Sequence, residues 1–547
     1  MSTNFSPGSG RTPLGPVSLI AFSAIFAWGL SATYVLFETE LFWMPTLALI
    51  CTLSAPIAIL RSLLEFAIRK IREAIANTPS TRHGSARWAS LADFAGLRRC
   101  RSGPFWGALN GKPLFIEYEA NALTVAPAGA GKTISVVVPQ LLSIKGAMVV
   151  SDLKCELAPM TKRARERMGQ PVYCLNPSGT NIDVLGEPDA YNPLCILHDD
   201  WTHSPADMVA DAMGMAHQLH PEPATKTDNS FFREGSRNLI TFAMLWEVID
   251  KGENATLSGC LRLLRDPDRL RESLYAASVS DVLSGELADR ANDFLEKLNN
   301  GDTRQIESFR EGAVQSLAIF SASGRIADCV SRSTFRFRDL KTAPATVFII
   351  GDATRSKVFE PWVGLVAWCA MLEIKRCRMQ KNPTTFLLDE ASNFRVDGLP
   401  QSMMEARGFG MRFHVIIQEL EDFKRVYGRE ALEILLSQTE IQQFFASRSP
   451  ATLDLLSRRL GNATVITDNY AMGGQKPRRS TGETGRPLLL PDEIRQLGDC
   501  LLFAHGKAPA LVEKVGYHEV SPWNRRGYVG INPLHGKRLK GRTRLRL

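Results

Sequence analysis

The chain contains 547 residues, 44% of them hydrophobic, which is enough for more than one domain and for a sizeable buried core. Its formal net charge is +8, and six of the basic residues stand within the last eleven positions. The positive and negative charges of the rest of the chain therefore nearly balance, which excludes a strongly basic folded body. The ten cysteines stand singly, without any C-x-x-C pair, which free thiols in a reducing cytoplasm explain better than disulfides or a zinc site.

Two uncharged segments stand near the start of the chain, at residues 17–37 and 41–60. As helices, each would be about 30 Å long, which is enough to cross the hydrocarbon core of a membrane. Only the acidic Glu38-Thr39-Glu40 separates them, as in a tight hairpin. Basic residues flank the pair on the outside, namely Arg11, Arg61, Arg69, Lys70 and Arg72. The positive-inside rule therefore predicts a two-helix transmembrane anchor over residues 1–75, with both termini and the main domain in the cytoplasm.

Residues 123–133 read Leu-Thr-Val-Ala-Pro-Ala-Gly-Ala-Gly-Lys-Thr, an apolar run that ends in a loop of small residues. This pattern is typical of a buried strand that turns into a phosphate-binding helix N-terminus. Lys132 would reach the β- and γ-phosphates, and the Thr133 hydroxyl would bind Mg²⁺, so we predict an ATP and Mg²⁺ site. Ala126 stands where this pattern has its first glycine, so the backbone there must suit a residue with a Cβ. The predicted nucleotide-binding loop consists of Ala126, Pro127, Ala128, Gly129, Ala130, Gly131, Lys132 and Thr133.

A second apolar run ends in Asp152, and Lys154 and Glu156 follow it at alternate positions. These three residues either form a local ion pair or line the nucleotide pocket, and the sequence leaves both interpretations open. Cys155 lies between them, and we assign it no redox role.

Strand patterns and helical patterns alternate in the first cytoplasmic part, which is typical of a parallel sheet. From about residue 200 to 335 the strand patterns stop, and amphipathic helical stretches such as 230–248 and 288–298 take their place. Phe231 and Phe232 open one of these stretches and are expected in its core. The predicted strands lie at 123–127, 147–152, 171–176, 346–351, 386–390, 413–418, 442–446 and 500–504.

This alternation predicts an α/β fold, a P-loop nucleotide-binding domain interrupted by an all-helical insert domain. Residues 469–484 are polar and glycine-rich and are predicted to form a loop. The sequence is equally compatible with two interpretations of its basic end. This end either contacts a nucleic-acid backbone or anionic lipids, or it is a solvated tail. The predicted divisions are 1–75 (anchor), 76–195 and 336–525 (nucleotide-binding domain), 196–335 (helical insert) and 526–547 (basic tail).

Residues 384–390, Thr-Thr-Phe-Leu-Leu-Asp-Glu, form an apolar run that ends in two acids. Such a run is expected of a buried parallel strand whose carboxyl end faces a ligand. Asp389 would hold the Mg²⁺ shell through water, and Glu390 would orient and deprotonate the attacking water. Together with the phosphate-binding loop, this motif predicts hydrolysis of the bound triphosphate.

The order and spacing of several motifs are similar to those of the coupling ATPases of type IV secretion systems, of the TraG/VirD kind. The likeness covers most of the chain from about residue 80 to 520. Its loop pattern Ala-Pro-x-x-x-Gly-Lys is also that of the family, and Cys155 stands where the family usually has glycine. The segments that carry the likeness are 83–89, 126–133, 152–156, 191–194, 389–394, 407–410 and 486–494.

The resemblance implies a RecA-like motor in the bacterial inner membrane that assembles as a hexameric ring, with nucleotide at the subunit interfaces. Arg407 matches the family's interface arginine, which would act on the γ-phosphate in a neighbouring subunit, and Arg412 is its competitor. Gln418 matches the polar residue that senses the γ-phosphate. The implied partners are a relaxase or relaxosome, effector proteins, single- or double-stranded DNA and the inner-membrane components of the secretion channel.

Two other functions remain compatible with the sequence. A DNA-pumping ATPase of the FtsK or HerA kind shares the motor motifs, although nothing after Asp492 resembles a DNA-reading winged helix. A membrane receptor that uses nucleotide only to assemble, without motor activity, would need the loop but not hydrolysis.

Overall fold

A computed structural model of the protein describes residues 60–71, 81–97, 103–223, 229–301, 303–377, 382–471 and 478–547. Contacts divide the chain into two units, one of residues 1–85 with 462–486 and one of residues 86–461 with 487–547. The two predicted membrane spans lie outside the described residues except for Leu60, which is helical together with residues 61–71. Within the described ranges, no helix combines the length and the apolar character that crossing a membrane requires.

The strands are numbered in chain order. They are β1 (Phe105–Leu109), β2 (Lys112–Phe115), β3 (Asn121–Val125), β4 (Ala147–Asp152), β5 (Val172–Leu175), β6 (Thr346–Ile350), β7 (Thr384–Leu388), β8 (Met411–Ile417), β9 (Ile441–Phe444), β10 (Asn462–Ala471), β11 (Arg478–Pro487), β12 (Cys500–Ala504), β13 (Ala510–Val512), β14 (Val520–Ser521) and β15 (Leu545–Arg546). Nine of them form the central sheet of the larger unit, in the order β13-β12-β9-β3-β8-β7-β4-β6-β5.

The seven strands from β9 to β5 run parallel, and β12 and β13 add antiparallel pairs at one end. The central strands are buried along their whole length, as their continuous apolar runs predict for a sheet covered on both faces. In the register of the sheet, Val125 lies opposite Ile417, and Leu388 lies opposite Val415. The carboxyl ends of β3, β8 and β7 therefore meet at one edge, with β8 between the other two.

Between β5 and β6 the described residues form helices and turns and no strand, and the helices predicted there are confirmed at Ser230–Lys251 and Glu286–Asn299. The exact limits of the insert stay a prediction. The α-helices named in the structure are Val138–Ser143, Leu157–Glu166, Ile182–Leu185, Cys195–His203, Pro205–Leu219, Ser230–Lys251, Leu257–Arg265, Pro267–Ser278, Glu286–Asn299, Thr303–Leu317, Arg325–Cys329, Ser356–Arg376, Leu399–Glu405, Leu420–Tyr427, Arg429–Gln438, Pro450–Leu460 and Pro491–Arg495.

The loop predicted over residues 469–484 is wrong for most of its length. In the smaller unit, β10 and β11 pair as a two-stranded sheet, and only their connection, residues 472–477, lies outside the described residues. The prediction followed the polar and glycine-rich composition. Backbone pairing tolerates this composition, and the β-branched Thr464, Val465 and Ile466 favour an extended chain.

The end of the basic C-terminal tail pairs with the larger unit, although most of its basic side chains are exposed. β15 pairs in parallel with β14, and Leu545 is buried. The Arg544 guanidinium lies 2.8 Å from a Glu513 carboxylate oxygen and 3.7 Å from one of Glu519. Glu513 precedes Arg544 by 31 residues, so the charges close to Arg544 in the sequence did not indicate this ion pair.

Candidate nucleotide-binding site

The predicted phosphate-binding loop connects β3 to a helix at the carboxyl edge of the sheet. Ala126 donates its backbone N–H to the carbonyl of Ile417 at 2.9 Å, so it extends the strand and lies outside the left-handed region. This confirms that the position accepts a residue with a Cβ. Gly129 and Gly131 have φ values of +78° and +90°, in the left-handed region that glycine enters without steric cost.

The helix after the loop begins with a π turn, Thr133–Val137, and continues as an α-helix, Val138–Ser143. Pro139 stands at the start of the α-helix, where a residue without an N–H is tolerated. The turn places the free N–H groups of the loop and the Thr133 hydroxyl at the start of a buried helix. Such a helix start attracts phosphate.

Lys132 brings the two predicted motifs together. Its Nζ lies 3.0 Å from Asp389 Oδ1 and 3.3 Å from Glu390 Oε1, and all three side chains are buried. Burial alone would lower the pKa of Lys132, but the two carboxylates raise it above its ordinary value. The ammonium group therefore stays charged at the end of β3, where it can meet phosphate oxygens.

Glu390 is held from three sides at the end of β7. Its Oε1 accepts from Lys154 Nζ at 2.5 Å as well as from Lys132, and its Oε2 accepts from Asn393 Nδ2 at 3.2 Å. Burial acts to raise its pKa, but the two ammonium groups outweigh burial and hold the pKa below its usual range. Its φ of +55° is left-handed, which turns the side chain at the strand end back toward the loop.

Asp389 differs from Glu390 because it faces one ammonium group instead of two. Burial raises the pKa of Asp389, Lys132 opposes this, and the net shift is upward. The carbonyl of Asp389 accepts the Ser151 hydroxyl at 2.9 Å, which fixes the end of β7 against β4. A cation beside Asp389 would favour its ionised form.

The structure decides between the two interpretations of Asp152, Lys154 and Glu156. Lys154 pairs with Glu390, and Glu156 accepts from the Thr133 hydroxyl at 3.4 Å, so both line the site. Asp152 instead accepts the backbone N–H groups of Glu156 and Ala158, each at 2.9 Å, and orders the turn before the helix Leu157–Glu166. Burial raises the pKa of Asp152 to about 7, against these N–H groups.

The donor set around Thr133 fits Mg²⁺. One hydroxyl and the carboxylates of Asp389, Glu390 and Glu156 supply the hard oxygen atoms that this ion prefers, and Mg²⁺ commonly binds few protein groups together with substrate phosphates. The left-handed glycines and Lys132 supply the matching phosphate contacts. The residues present are thus suited to a magnesium–nucleotide complex.

The structure separates the two residues whose roles rest on resemblance. Gln418 directly follows β8 at the edge that carries the loop, and no hydrogen bond of its side chain forms within the described part of the chain. Arg407 precedes β8, and its side chain is 75% exposed, 2.7 Å from Glu119. Because β8 spans seven residues, Arg407 lies roughly 20 Å from the loop, at the opposite edge of the sheet. Arg412 contacts Glu117 at 3.5 Å.

The aromatic residues at the start of the helix Ser230–Lys251 are not core residues. Phe231 and Phe232 are 55% and 47% exposed, and both rings pack on the buried Phe309, with centroid distances of 5.6 and 6.1 Å. Both residues lie in the first turn of the helix, and their ring centroids are also 5.6 Å from each other.

Residues 81–532 match the family model described as Type IV secretory system Conjugative DNA transfer. The chain belongs to this family. Protein VirD4 of Rhizobium radiobacter is 25% identical over 520 residues, which cover 92% of this chain and 72% of that protein. Conjugal transfer protein TraG of Agrobacterium fabrum is 26% identical over 467 residues, which cover 78% of this chain and 69% of that protein.

Solved structures of a coupling protein have the same fold. The unbound bacterial conjugative coupling protein TrwBdeltaN70 gives a TM-score of 0.57 at 16% identity, over 79% of this chain and 92% of that one. Plasmid coupling protein TrwB in complex with ADP and Mg²⁺ gives 0.55 at 15% identity, over 79% and 93%. This similarity shows that the chain shares the α/β fold of these structures.

The backbone at residue 155 accounts for the glycine that is usual at this position of the motif 152–156. Cys155 stands where glycine is usual, and its φ is +53°, a left-handed value that glycine adopts without strain. Cys155 is held there by Asn181, whose Nδ2 donates to its carbonyl at 3.2 Å. Sequence reasoning assigned no role to Asn181, Asn393 or Asn532, because each reaches its partner only through the fold.

Proposed function

We propose that this protein is an inner-membrane coupling ATPase that recruits DNA or protein substrates and drives them into a type IV secretion channel. The observation that carries the proposal is the convergence of Lys132, Thr133, Asp389 and Glu390 at one sheet edge in a chain that belongs to the conjugative DNA transfer family. The candidate cargo is single-stranded DNA attached to a relaxase, an effector protein, or both.

The chemistry follows from the four residues. Lys132 and the loop N–H groups bind the phosphates of ATP, Thr133 and Asp389 hold Mg²⁺, and Glu390 stays ionised because two ammonium groups lower its pKa. An ionised Glu390 can orient a water molecule and accept its proton. The complex of TrwB with ADP and Mg²⁺ supports the choice of nucleotide and ion.

The position of Arg407 supports a ring in which subunits share nucleotide sites. An exposed arginine about 20 Å from its own loop has no part in that site, but the same residue of an adjacent subunit can reach it. The hexamer expected from the resemblance would place it there. Gln418 directly follows β8, which lies between β3 and β7. From this position it would contact the γ-phosphate.

Three regions outside the nucleotide site are assigned roles in membrane anchoring and substrate contact. Residues 17–37 and 41–60 are proposed to form the membrane anchor, which places the nucleotide site in the cytoplasm. The exposed Lys537, Lys540 and Arg542 of the folded C-terminus are proposed to contact DNA or anionic lipid headgroups. The helical insert is proposed to meet the substrate or relaxosome.

Phosphate release by the full-length protein in a lipid bilayer tests this function. We expect Mg²⁺-dependent ATP hydrolysis that increases severalfold when single-stranded DNA is added at low salt, because substrate binding would assemble the shared sites. The increase should weaken as salt rises, since phosphate contacts release counterions. Hydrolysis that is absent under all these conditions would contradict the proposal.

Replacing Arg407 with alanine tests the shared site. The Arg407→Ala protein should hydrolyse ATP about 1,000-fold more slowly, in line with the effect of arginine fingers in related enzymes. Mixing it with a Lys132→Ala protein should restore part of the activity, because some sites then combine an intact Lys132 with an intact Arg407. An Arg412→Ala protein is the matched control and should retain its activity. A mixture as inactive as its components would exclude a role of Arg407 between subunits.

A further inference from the structure

Glu156 is a buried carboxylate with no basic side chain in contact. Its residue is only 9% exposed, and none of the described residues forms an ion pair with it. By comparison, Asp389 faces Lys132, and Glu390 faces both Lys132 and Lys154. An ionised carboxylate that is removed from water is costly unless a cation or several hydrogen bonds compensate it.

Two neutral groups contact the Glu156 carboxylate from opposite parts of the chain. Its Oε1 accepts from the Thr133 hydroxyl at 3.4 Å, and its Oε2 accepts from Asn532 Nδ2 at 2.8 Å. Thr133 is the predicted Mg²⁺ ligand of the phosphate-binding loop. This carboxylate, which faces no ammonium group among the described residues, is therefore next to the one residue of the loop where a divalent cation is expected.

Asn532 is held firmly in the position from which it donates. It is 6% exposed, and its Oδ1 accepts the backbone N–H of Leu534 at 2.9 Å, which orients the amide toward Glu156. Two residues earlier, Gly530 donates to the carbonyl of Met160 at 2.8 Å, and a Cβ on Gly530 would come within 2.3 Å of the Pro159 carbonyl. The chain around Asn532 thus lies directly on the helix that follows Glu156.

We propose that Glu156 is a further carboxylate of the Mg²⁺ shell and that Asn532, from the C-terminal segment, is the residue that positions it. This inference rests on the proposed nucleotide site and deepens it, because it makes the segment around Asn532 a part of that site. Mg²⁺ on Thr133 supplies the positive charge that Glu156 lacks. The Asn532 amide occupies one carboxylate oxygen and leaves the other directed at Thr133.

The arrangement links the C-terminal segment to the state of the nucleotide site. Loss of the amide would free the Glu156 side chain and leave its second oxygen without a donor among the described residues. Phosphate binding by Lys132 and the loop N–H groups does not involve either residue. A defect in Asn532 should therefore weaken Mg²⁺ binding and leave binding of the bare nucleotide unchanged.

The experiment uses the full-length protein in detergent and a fluorescent ADP as probe. ADP affinity is measured first in excess EDTA and then during a titration with Mg²⁺. Asn532→Ala and the uncharged Asn532→Leu, which has nearly the same shape, should each weaken the Mg²⁺ affinity of the ADP complex by about 10-fold or more, the range seen when the partner of a metal ligand is removed. Their ADP affinities in EDTA should stay within about twofold of wild type.

Asn524→Ala is the matched control. Asn524 lies in the same segment and donates a similar hydrogen bond, to Thr543 Oγ1 at 2.8 Å, but it does not contact Glu156. Its Mg²⁺ affinity should equal that of wild type. The inference is overturned if both Asn532 variants bind Mg²⁺ like wild type, or if they lose ADP affinity equally in EDTA. A wild-type protein that binds no ADP would instead overturn the proposed nucleotide site.

Discussion

Replacing Lys132 with alanine should weaken ATP binding by about 100-fold or more. Two charge-assisted hydrogen bonds to phosphate oxygens are expected from its ammonium group, and each contributes about 1.5–3 kcal/mol. The change also leaves Asp389 without its ammonium partner, and Glu390 keeps only Lys154. The two acids would then repel the incoming phosphates more strongly.

Equilibrium binding of a fluorescent ATP analogue measures this effect on the full-length protein. Lys145→Ala is the matched control, because Lys145 is exposed and follows the same helix outside the site. This control should bind nucleotide as tightly as wild type. Unchanged affinity in the Lys132→Ala protein would show that the loop does not hold the phosphates.

Replacing Glu390 with glutamine should slow hydrolysis by about 100- to 10,000-fold and leave ATP binding largely intact. This range is typical for the loss of a general base, and glutamine has nearly the same shape but cannot accept the proton. Its amide oxygen can take the place of Oε1 and accept from Lys132 and Lys154, whereas the hydrogen bond from Asn393 is lost. Lys132 also keeps its contact with Asp389, so the phosphate-binding groups stay in place.

Single-turnover hydrolysis and nucleotide affinity, measured together, separate these two expectations. Glu166→Gln makes the same chemical change on the exposed face of the helix Leu157–Glu166 and should leave the rate unchanged. A Glu390→Gln protein that hydrolyses ATP at the wild-type rate would remove Glu390 from the reaction. A loss of binding equal to the loss of rate would make its role structural.

The acidic strand at residues 384–390 and the loop at 126–133 could be read from the sequence because both signals are local. An apolar run followed by small residues or acids indicates a buried strand and the position where it ends, within about ten residues. The structure places both ends at one sheet edge, and Lys132 joins them at 3.0 Å. The helical insert was readable for the same reason, since its apolar periodicity lies within each helix.

Features that depend on distant partners were not readable. Asn532 donates a hydrogen bond to Glu156, 376 residues earlier in the chain, and no sequence pattern near either residue predicts that contact. The folded C-terminus depends in the same way on Arg544 reaching Glu513 and Glu519, so a run of basic residues resembled a free tail. The pairing of β10 with β11 was missed because strand pairing uses backbone groups, which polar side chains do not exclude.

The most direct test of the account compares substrate transfer with ATP hydrolysis in the same variants. Donor cells that carry Lys132→Ala or Glu390→Gln in the full-length protein are assayed for DNA transfer to recipients, and phosphate release is measured on the purified proteins. We predict that transfer falls to background in both variants while the protein remains abundant in the donor cells. Wild-type transfer frequencies in both variants, with hydrolysis abolished, would contradict the motor and leave a receptor that uses nucleotide only to assemble.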